Sequence, residues 1–321
     1  MFARPSPSHE LFRVLGAAFI GLLVWFFRKD LPDILAVLKN INPFFFGIAV
    51  VLNVLVLAVI SVRLKKIFSV QGLHLKLGEA IYLTFIGSFF NNFLPTSVGG
   101  DLVKAYYATK KSTRKLESFS AVFFDRFFGF LSIGILAFLG VLFLNKDIKD
   151  TNLLWGSALF SAIVLSAFIF FLNKRLTKKL FARLLDLPVF REGSKLRKLY
   201  NALNTYKEHK IIIAQLIGIS LLAQLIAVVA IYIIIKSLSQ EIPFLTLFLI
   251  IPLVSVASMM PSINGLGVRE GAFVYFLTEF ISRESAVAVS ILYLAIILIM
   301  SFIGGILYLF SGKLYKHALR R

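Results

Sequence analysis

Asp125 and Arg126 stand side by side, seven residues into the apolar run Phe119–Leu144. A charge at the centre of a membrane helix costs about 2.5–3.5 kcal/mol, less near its edge, and marks a functional site by default. Successive helical side chains diverge by about 100°, so the two do not form a simple face-to-face pair. Arg126 is therefore expected to reach a partner on another segment or a lipid phosphate. The structural alternative is a helix that starts one turn earlier, with both side chains snorkelling at the interface.

Two further clusters combine Pro, Gly and Asn. In the first, Asn91-Asn92 precede Pro95 and Gly99-Gly100-Asp101. Carboxamides at the tip of an apolar run must bond freed backbone or a polar ligand. Asp101 suits the N-cap of the basic segment that follows, with Lys104 one turn on. The second cluster reads Pro261-Ser262-Ile263-Asn264-Gly265-Leu266-Gly267-Val268-Arg269-Glu270-Gly271. Its glycines admit a ligand close to the backbone, and the first N–H groups of a following helix would face an anion. Arg269 adds a bidentate phosphate donor, and Glu270 either neutralises it or meets an ammonium group. The candidate substrate contacts are thus Asn91, Asn92, Pro95, Gly99, Gly100, Asp101, Asp125, Arg126, Pro261, Asn264, Gly265, Gly267, Arg269 and Glu270.

Other chemistries find little support. The glycines from Gly265 to Gly271 lack the spacing and βαβ setting of a dinucleotide loop, and no GxxxxGK[ST] stretch supports ATP-driven pumping. The chain has no Cys, and His9, His74, His209 and His317 are scattered, so no metal or other cofactor is expected.

The elements that carry these residues are membrane helices. Hydrophobic residues make up 59% of the 321, charged ones 16%, and 34 are Phe, far from a soluble composition. Eight apolar runs follow one another: Leu11–Phe27, Phe44–Val62, Ile81–Val98, Phe119–Leu144, Leu153–Leu172, Ile211–Ile235, Phe244–Met260 and Ala286–Phe310. The first has basic residues ahead of it but no small-residue cleavage site, so it is expected to be a retained helix. Gln215 and Gln224 in the sixth are expected to bond between helices. The net charge of +19 lies between the runs, which favours anionic lipid over nucleic acid.

The distribution of that charge selects a topology. If all eight runs cross, 21 Lys and Arg fall on one side and 13 on the other. If the third and seventh dip in and return, the division becomes 26 to 8, with the basic loop 173–210 and both termini in the cytoplasm. Each half, about 1–145 and 146–321, then reads span, span, re-entrant, span, and the odd number of spans inverts the second half. Pro95-Thr96-x-x-Gly99 and Pro261-Ser262-x-x-Gly265 occupy matching places, the pattern that points to a transporter's binding site.

Asn92-x-x-Pro95 with Gly99-Gly100-Asp101, then Asp125-Arg126-x-x-Gly129, then Pro261-x-x-x-Gly265-x-Gly267-x-x-Glu270, resemble the lysylphosphatidylglycerol synthase transmembrane-region family, also labelled flippase-like. The resemblance covers nearly the whole chain. In the two-domain synthases it implies a membrane region that moves aminoacylated phosphatidylglycerol between leaflets. A soluble synthase domain is not expected here, so lipid aminoacylation by this chain is not expected either. The expected protein is an all-α polytopic domain of about six spans and two re-entrant hairpins in an inverted repeat, in the cytoplasmic membrane. Its expected function is translocation of a phospholipid or glycolipid headgroup. The expected partners are anionic or aminoacylated phospholipid or a polyprenyl-linked glycolipid, with a soluble lipid-modifying enzyme and self-association as further possibilities. The alternatives are a membrane-embedded transferase using Asp101, Asp125 or Glu270, and a non-catalytic partner of a lipid synthase.

Overall fold

The computed structural model describes residues 31–93, 99–109, 115–144, 151–173, 206, 209–259 and 267–318. The run Leu11–Phe27, most of the basic loop 173–210, and Pro95, Pro261, Asn264 and Gly265 lie outside the described residues.

Every described element is a helix. They are α1 Leu31–Lys39, α2 Pro43–Val70, α3 Leu77–Phe93, α4 Gly99–Thr109, α5 Lys115–Leu144, α6 Thr151–Leu172, α7 Lys210–Ser237, α8 Leu247–Ala257, α9 Val268–Leu277 and α10 Arg283–Ala318. A 3-10 turn, Phe244–Thr246, leads into α8. Among the described residues, α2, α5, α6, α7 and α10 are long and apolar enough to cross a membrane. The described part of α3, with 17 residues, and the 14-residue stretch Phe244–Ala257 are shorter.

Two sets of four helices correspond: α2 to α5, and α7 to α10. The helices α2 and α7 both have 28 residues and both end in the same way. After α2, Gly72 N–H donates to the Ser69 carbonyl and Leu73 N–H to that of Phe68; after α7, Ser239 does the same to Lys236 and Gln240 to Ile235. This is the Schellman arrangement, which needs a left-handed residue just past the helix. Gly72 meets that need at φ 70°, whereas Ser239 adopts φ 56° with a side chain attached.

The two helices also run antiparallel against each other. Asn42 N–H at the start of α2 donates to the Ser237 carbonyl at the end of α7 (2.8 Å). Further along, Lys66 Nζ donates to Gln215 Oε1 (2.6 Å), the interhelical bond expected of Gln215. Around this pair each short helix crosses to the other set: α3 packs on α10, and α8 on α5. A glycine makes each crossing possible. A Cβ at Gly304 of α10 would overlap the Phe85 carbonyl oxygen of α3, and one at Gly140 of α5 would lie 2.8 Å from Leu249 Cδ2 of α8. Close approach through small residues is how helices gain dispersion contact where lipid supplies no hydrophobic drive.

Two sequence boundaries shift. The run Phe44–Val62 is part of a helix that continues to Val70, because Leu64, Ile67 and Phe68 pack inside the protein. Arg63 therefore lies within α2 and not in a loop. The run Ile81–Val98 corresponds to a helix ending at Phe93.

Candidate functional site

The first site is assembled at the break between α3 and α4. Gly100 sits so close to α3 that a Cβ would overlap the Gly87 carbonyl oxygen. Asn91 Oδ1 accepts the Gly100 N–H at 2.8 Å, so this carboxamide satisfies backbone freed by the break. Asn92 Nδ2 donates to the Ser88 carbonyl at 3.2 Å. Gly87 in turn makes room for the stem of Lys104, whose Cε would overlap any Cβ there. The glycines and Asn91 thus fold α4 back onto α3 and bring Asp101 and Lys104 into the interior.

There they meet α2 and α5 in a chain of alternating charges. Arg63 Nε donates to Asp125 Oδ1 at 2.8 Å, and Asp125 Oδ2 lies 3.8 Å from Lys104 Nζ. Lys104 Nζ is 3.3 Å from Asp101 Oδ1, and Asp101 Oδ2 pairs with Arg126 Nε. Arg63 Nη1 also donates to Ser220 Oγ of α7 at 3.1 Å, which ties the chain to the second set of helices. Arg63, Lys104, Asp101 and Asp125 are buried, and the Arg126 side chain keeps 30% of its surface exposed. Each carboxylate bridges two cations, as burial of charge requires. Among the described residues, three cations against two carboxylates leave this chain a formal charge of +1.

Two expectations change here. Asp101 does not act as a helix cap: it lies in the first turn of α4, and its carboxylate is committed to Lys104 and Arg126. The helix of Asp125 does begin a turn before the apolar run, at Lys115. Asp125 is nonetheless 3% exposed and paired, not snorkelling. Arg126 reaches a partner on another segment, as the divergence of neighbouring side chains predicts. Arg63 and Ser220 were not legible as site residues, because Arg63 directly follows an apolar run and resembles an ordinary basic flank.

Beside this chain, Tyr107 of α4 bonds Tyr308 of α10. On the other flank Tyr206 Oη donates to the Ile67 carbonyl at 3.0 Å.

The second cluster is smaller and closed on itself. Gly267 takes φ 84°, and its N–H donates to Glu270 Oε2 at 2.5 Å, half of a capping box. Glu270 Oε1 accepts from Arg269 Nη2 at 2.5 Å and Nε at 3.1 Å. The guanidinium also lies over the Tyr293 ring of α10, 5.6 Å from its centre. Arg269 and Glu270 are each 6% exposed. Of the two roles open to Glu270, neutralising Arg269 is the one realised.

The structure therefore joins Asn91, Gly100, Asp101, Asp125 and Arg126 in one group and Gly267, Arg269 and Glu270 in another. Among the described residues, no three His, Cys, Asp or Glu side chains are grouped to hold a metal ion. The sequence profile of the lysylphosphatidylglycerol synthase TM region family matches residues 13–305, which takes in both groups. The chain belongs to this family. A UPF0104 membrane protein of Methanocaldococcus jannaschii is 31% identical over 115 residues, 35% of this chain and 34% of that protein. One from Methanothermobacter thermautotrophicus is 24% identical over 262 residues, 74% of this chain and 76% of the relative. The match thus spans about a third of the first relative and three quarters of the second. In this member of the family the buried charges concentrate at the first break.

Proposed function

We propose that this protein carries the polar headgroup of an anionic membrane lipid between the leaflets of the cytoplasmic membrane. The observation that carries the reading is the unbalanced charge chain at the α3–α4 break. Among the described residues, the largely buried cluster of three cations and two carboxylates is short of one negative charge. A lipid phosphate supplies it, and the partly exposed Arg126 guanidinium is the group that presents a bidentate donor to it. Asp101 holds that guanidinium until the phosphate arrives, and Lys104 holds Asp101 afterwards.

In this reading α3–α4 and α8–α9 are re-entrant hairpins that enter from opposite sides, and both termini are cytoplasmic. The crossed packing of α3 on α10 and α8 on α5 supports it, because a dipping hairpin must bury its polar break in protein. Only the headgroup passes the interior, and the two sets of helices rock about the antiparallel α2–α7 contact. The cargo is an anionic or aminoacylated phospholipid.

The test is a reconstituted vesicle containing fluorescent phosphatidylglycerol, with a membrane-impermeant quencher added outside. The protein is expected to expose inner-leaflet lipid to quenching. Arg126→Ala is expected to slow that exchange about 10- to 100-fold, the loss of one charge-assisted contact of about 1.5–3 kcal/mol. Exchange at the rate of protein-free vesicles, or an Arg126→Ala variant as fast as the parent, overturns the reading.

A further inference from the structure

The two ends of the charge chain differ in exposure. Arg126 is its partly exposed member, whereas Arg63, at the opposite end on α2, is buried. The Arg63 guanidinium is held from two other helices. Its Nε donates to Asp125 Oδ1 of α5 at 2.8 Å, and its Nη1 to Ser220 Oγ of α7 at 3.1 Å. The Ser220 proton is committed to the Leu216 carbonyl at 2.7 Å, which leaves the hydroxyl oxygen to accept. A Cβ on Gly129, one turn past Asp125, would stand 3.6 Å from Nη1 and 3.7 Å from Nη2. The planar group therefore lies along the face of α5 that carries Asp125, and α7 steadies its far edge. A buried arginine held in this way serves a lipid site through the groups it fixes, not by contact with cargo.

The spacing along the chain shows what Arg63 fixes. Asp125 is 2.8 Å from Arg63 but 3.8 Å from Lys104, and Lys104 is 3.3 Å from Asp101. The first contact is a charge-assisted hydrogen bond, whereas 3.8 Å is beyond hydrogen-bonding range. Asp125 is thus taken mainly by Arg63, and Lys104 leans to Asp101. The cluster divides into a balanced pair, Arg63 with Asp125, and a trio in which Lys104 and Arg126 share the single carboxylate of Asp101. The surplus positive charge among the described residues therefore belongs to the trio. Without Arg63, Asp125 would keep Lys104 as its ion-pair partner and draw it from Asp101. Asp101 would then depend on Arg126, and a phosphate arriving there would strand a buried carboxylate.

We propose that Arg63 is a positioning residue for the lipid phosphate: by holding Asp125 it reserves Lys104 for Asp101 and keeps the surplus positive charge at the Arg126 end. The inference rests on the headgroup reading above and adds that the attraction of the site for an anion is set by a buried residue at the other end of the chain. Arg63 and Asp125 then act on the site with opposite signs, the first strengthening its hold on an anion and the second weakening it. On stability they act with the same sign, because each neutralises the other in the interior.

The test is competitive binding by the full chain, delipidated in detergent and offered equimolar phosphatidylglycerol and phosphatidylcholine, with the bound lipid identified by native mass spectrometry. The parent is expected to favour phosphatidylglycerol, and Arg126→Ala to lose that preference. Arg63→Gln is expected to lower it about tenfold, the lower end of what one charge-assisted contact contributes. Asp125→Asn keeps an acceptor for Arg63 and leaves Lys104 wholly to Asp101, so it is expected to raise the preference. Both single variants are expected to melt below the parent, since each leaves a buried charge short of its partner. A residue needed only for folding would move preference and melting together in both variants. The double variant, Arg63→Gln with Asp125→Asn, removes the balanced pair as a unit. It is expected to recover most of the preference lost in Arg63→Gln, and it carries the test if a single variant does not fold.

An Arg63→Gln variant with the preference of the parent overturns the proposal, as does an Asp125→Asn variant whose preference falls or a double variant that shows none. If any of these occurs while Arg126→Ala still abolishes the preference, the positioning role fails and the headgroup reading stands. If Arg126→Ala binds phosphatidylglycerol as selectively as the parent, the headgroup reading falls and the positioning role with it.

Discussion

The two helix breaks occupy matching places in the fold and solve the same problem differently. At the α3–α4 break, five charged side chains from α2, α4 and α5 are linked in sequence, and Ser220 of α7 extends the link to the other set of helices. At the break before α9, Arg269 and Glu270 are neighbours in the chain and neutralise each other, with Gly267 and Tyr293 completing the shell. The first arrangement carries a surplus positive charge among the described residues and links α2, α4, α5 and α7. The second carries none and stays within one helix end and its neighbour. Two breaks can thus share a backbone plan while their charges are arranged differently, because charge pairing depends on a few side chains and packing on many.

The largest effect that would break this contrast concerns the acids. Asp125→Ala strands Arg63 and leaves Lys104 with Asp101, and a buried pair deprived of one partner loses about 3–5 kcal/mol. That loss is read from reversible unfolding in mixed micelles. At the second break the joint replacement Arg269→Met with Glu270→Gln is expected to change stability by less than about 1 kcal/mol, since removing both members of a buried pair is often neutral. The same double variant is expected to retain lipid exchange, unlike Arg126→Ala. Transport lost in the double variant would mean that both copies keep the chemistry.

The glycine crossings offer a finer comparison. Gly304→Ala drives a methyl group into a backbone carbonyl, whereas Gly140→Ala meets the end of a leucine side chain. Overpacking typically costs about 1–3 kcal/mol. Gly304→Ala is expected at the upper end and Gly140→Ala at the lower, both measured by the same unfolding titration. Equal costs would show that the two crossings yield alike. Smallest is the pair of helix ends. Gly72→Ser is expected to destabilise by about 1 kcal/mol and Ser239→Gly to stabilise by up to about 1 kcal/mol, because the left-handed backbone penalises a Cβ. Opposite signs in thermal melts would confirm that the two ends are the same motif, one of them strained.

Much of this architecture is legible in the chain itself. Apolar length is a local, additive property, so α5, α6 and α7 coincide with their runs to within a few residues, while α10 continues past the end of its run to Ala318. The paired Pro/Gly interruptions mark both breaks, and Asp125 and Arg126 stand out because charge is rare in such a run. Arg63 shows where this reading stops. A basic residue after an apolar stretch has the same appearance whether it reaches solvent or a buried carboxylate 62 positions away. Asp101 shows the same limit: a good capping residue by position, it serves as the bridge between Lys104 and Arg126.

By itself, then, the sequence determined a helical membrane protein with two interrupted segments and a few interior charges, because burial length and backbone punctuation act within one segment at a time. Only the tertiary structure decided which charges share a site and which glycines serve as contact points. Those relations join helices far apart in the chain, and a Coulomb contact or a steric fit has no counterpart in local order.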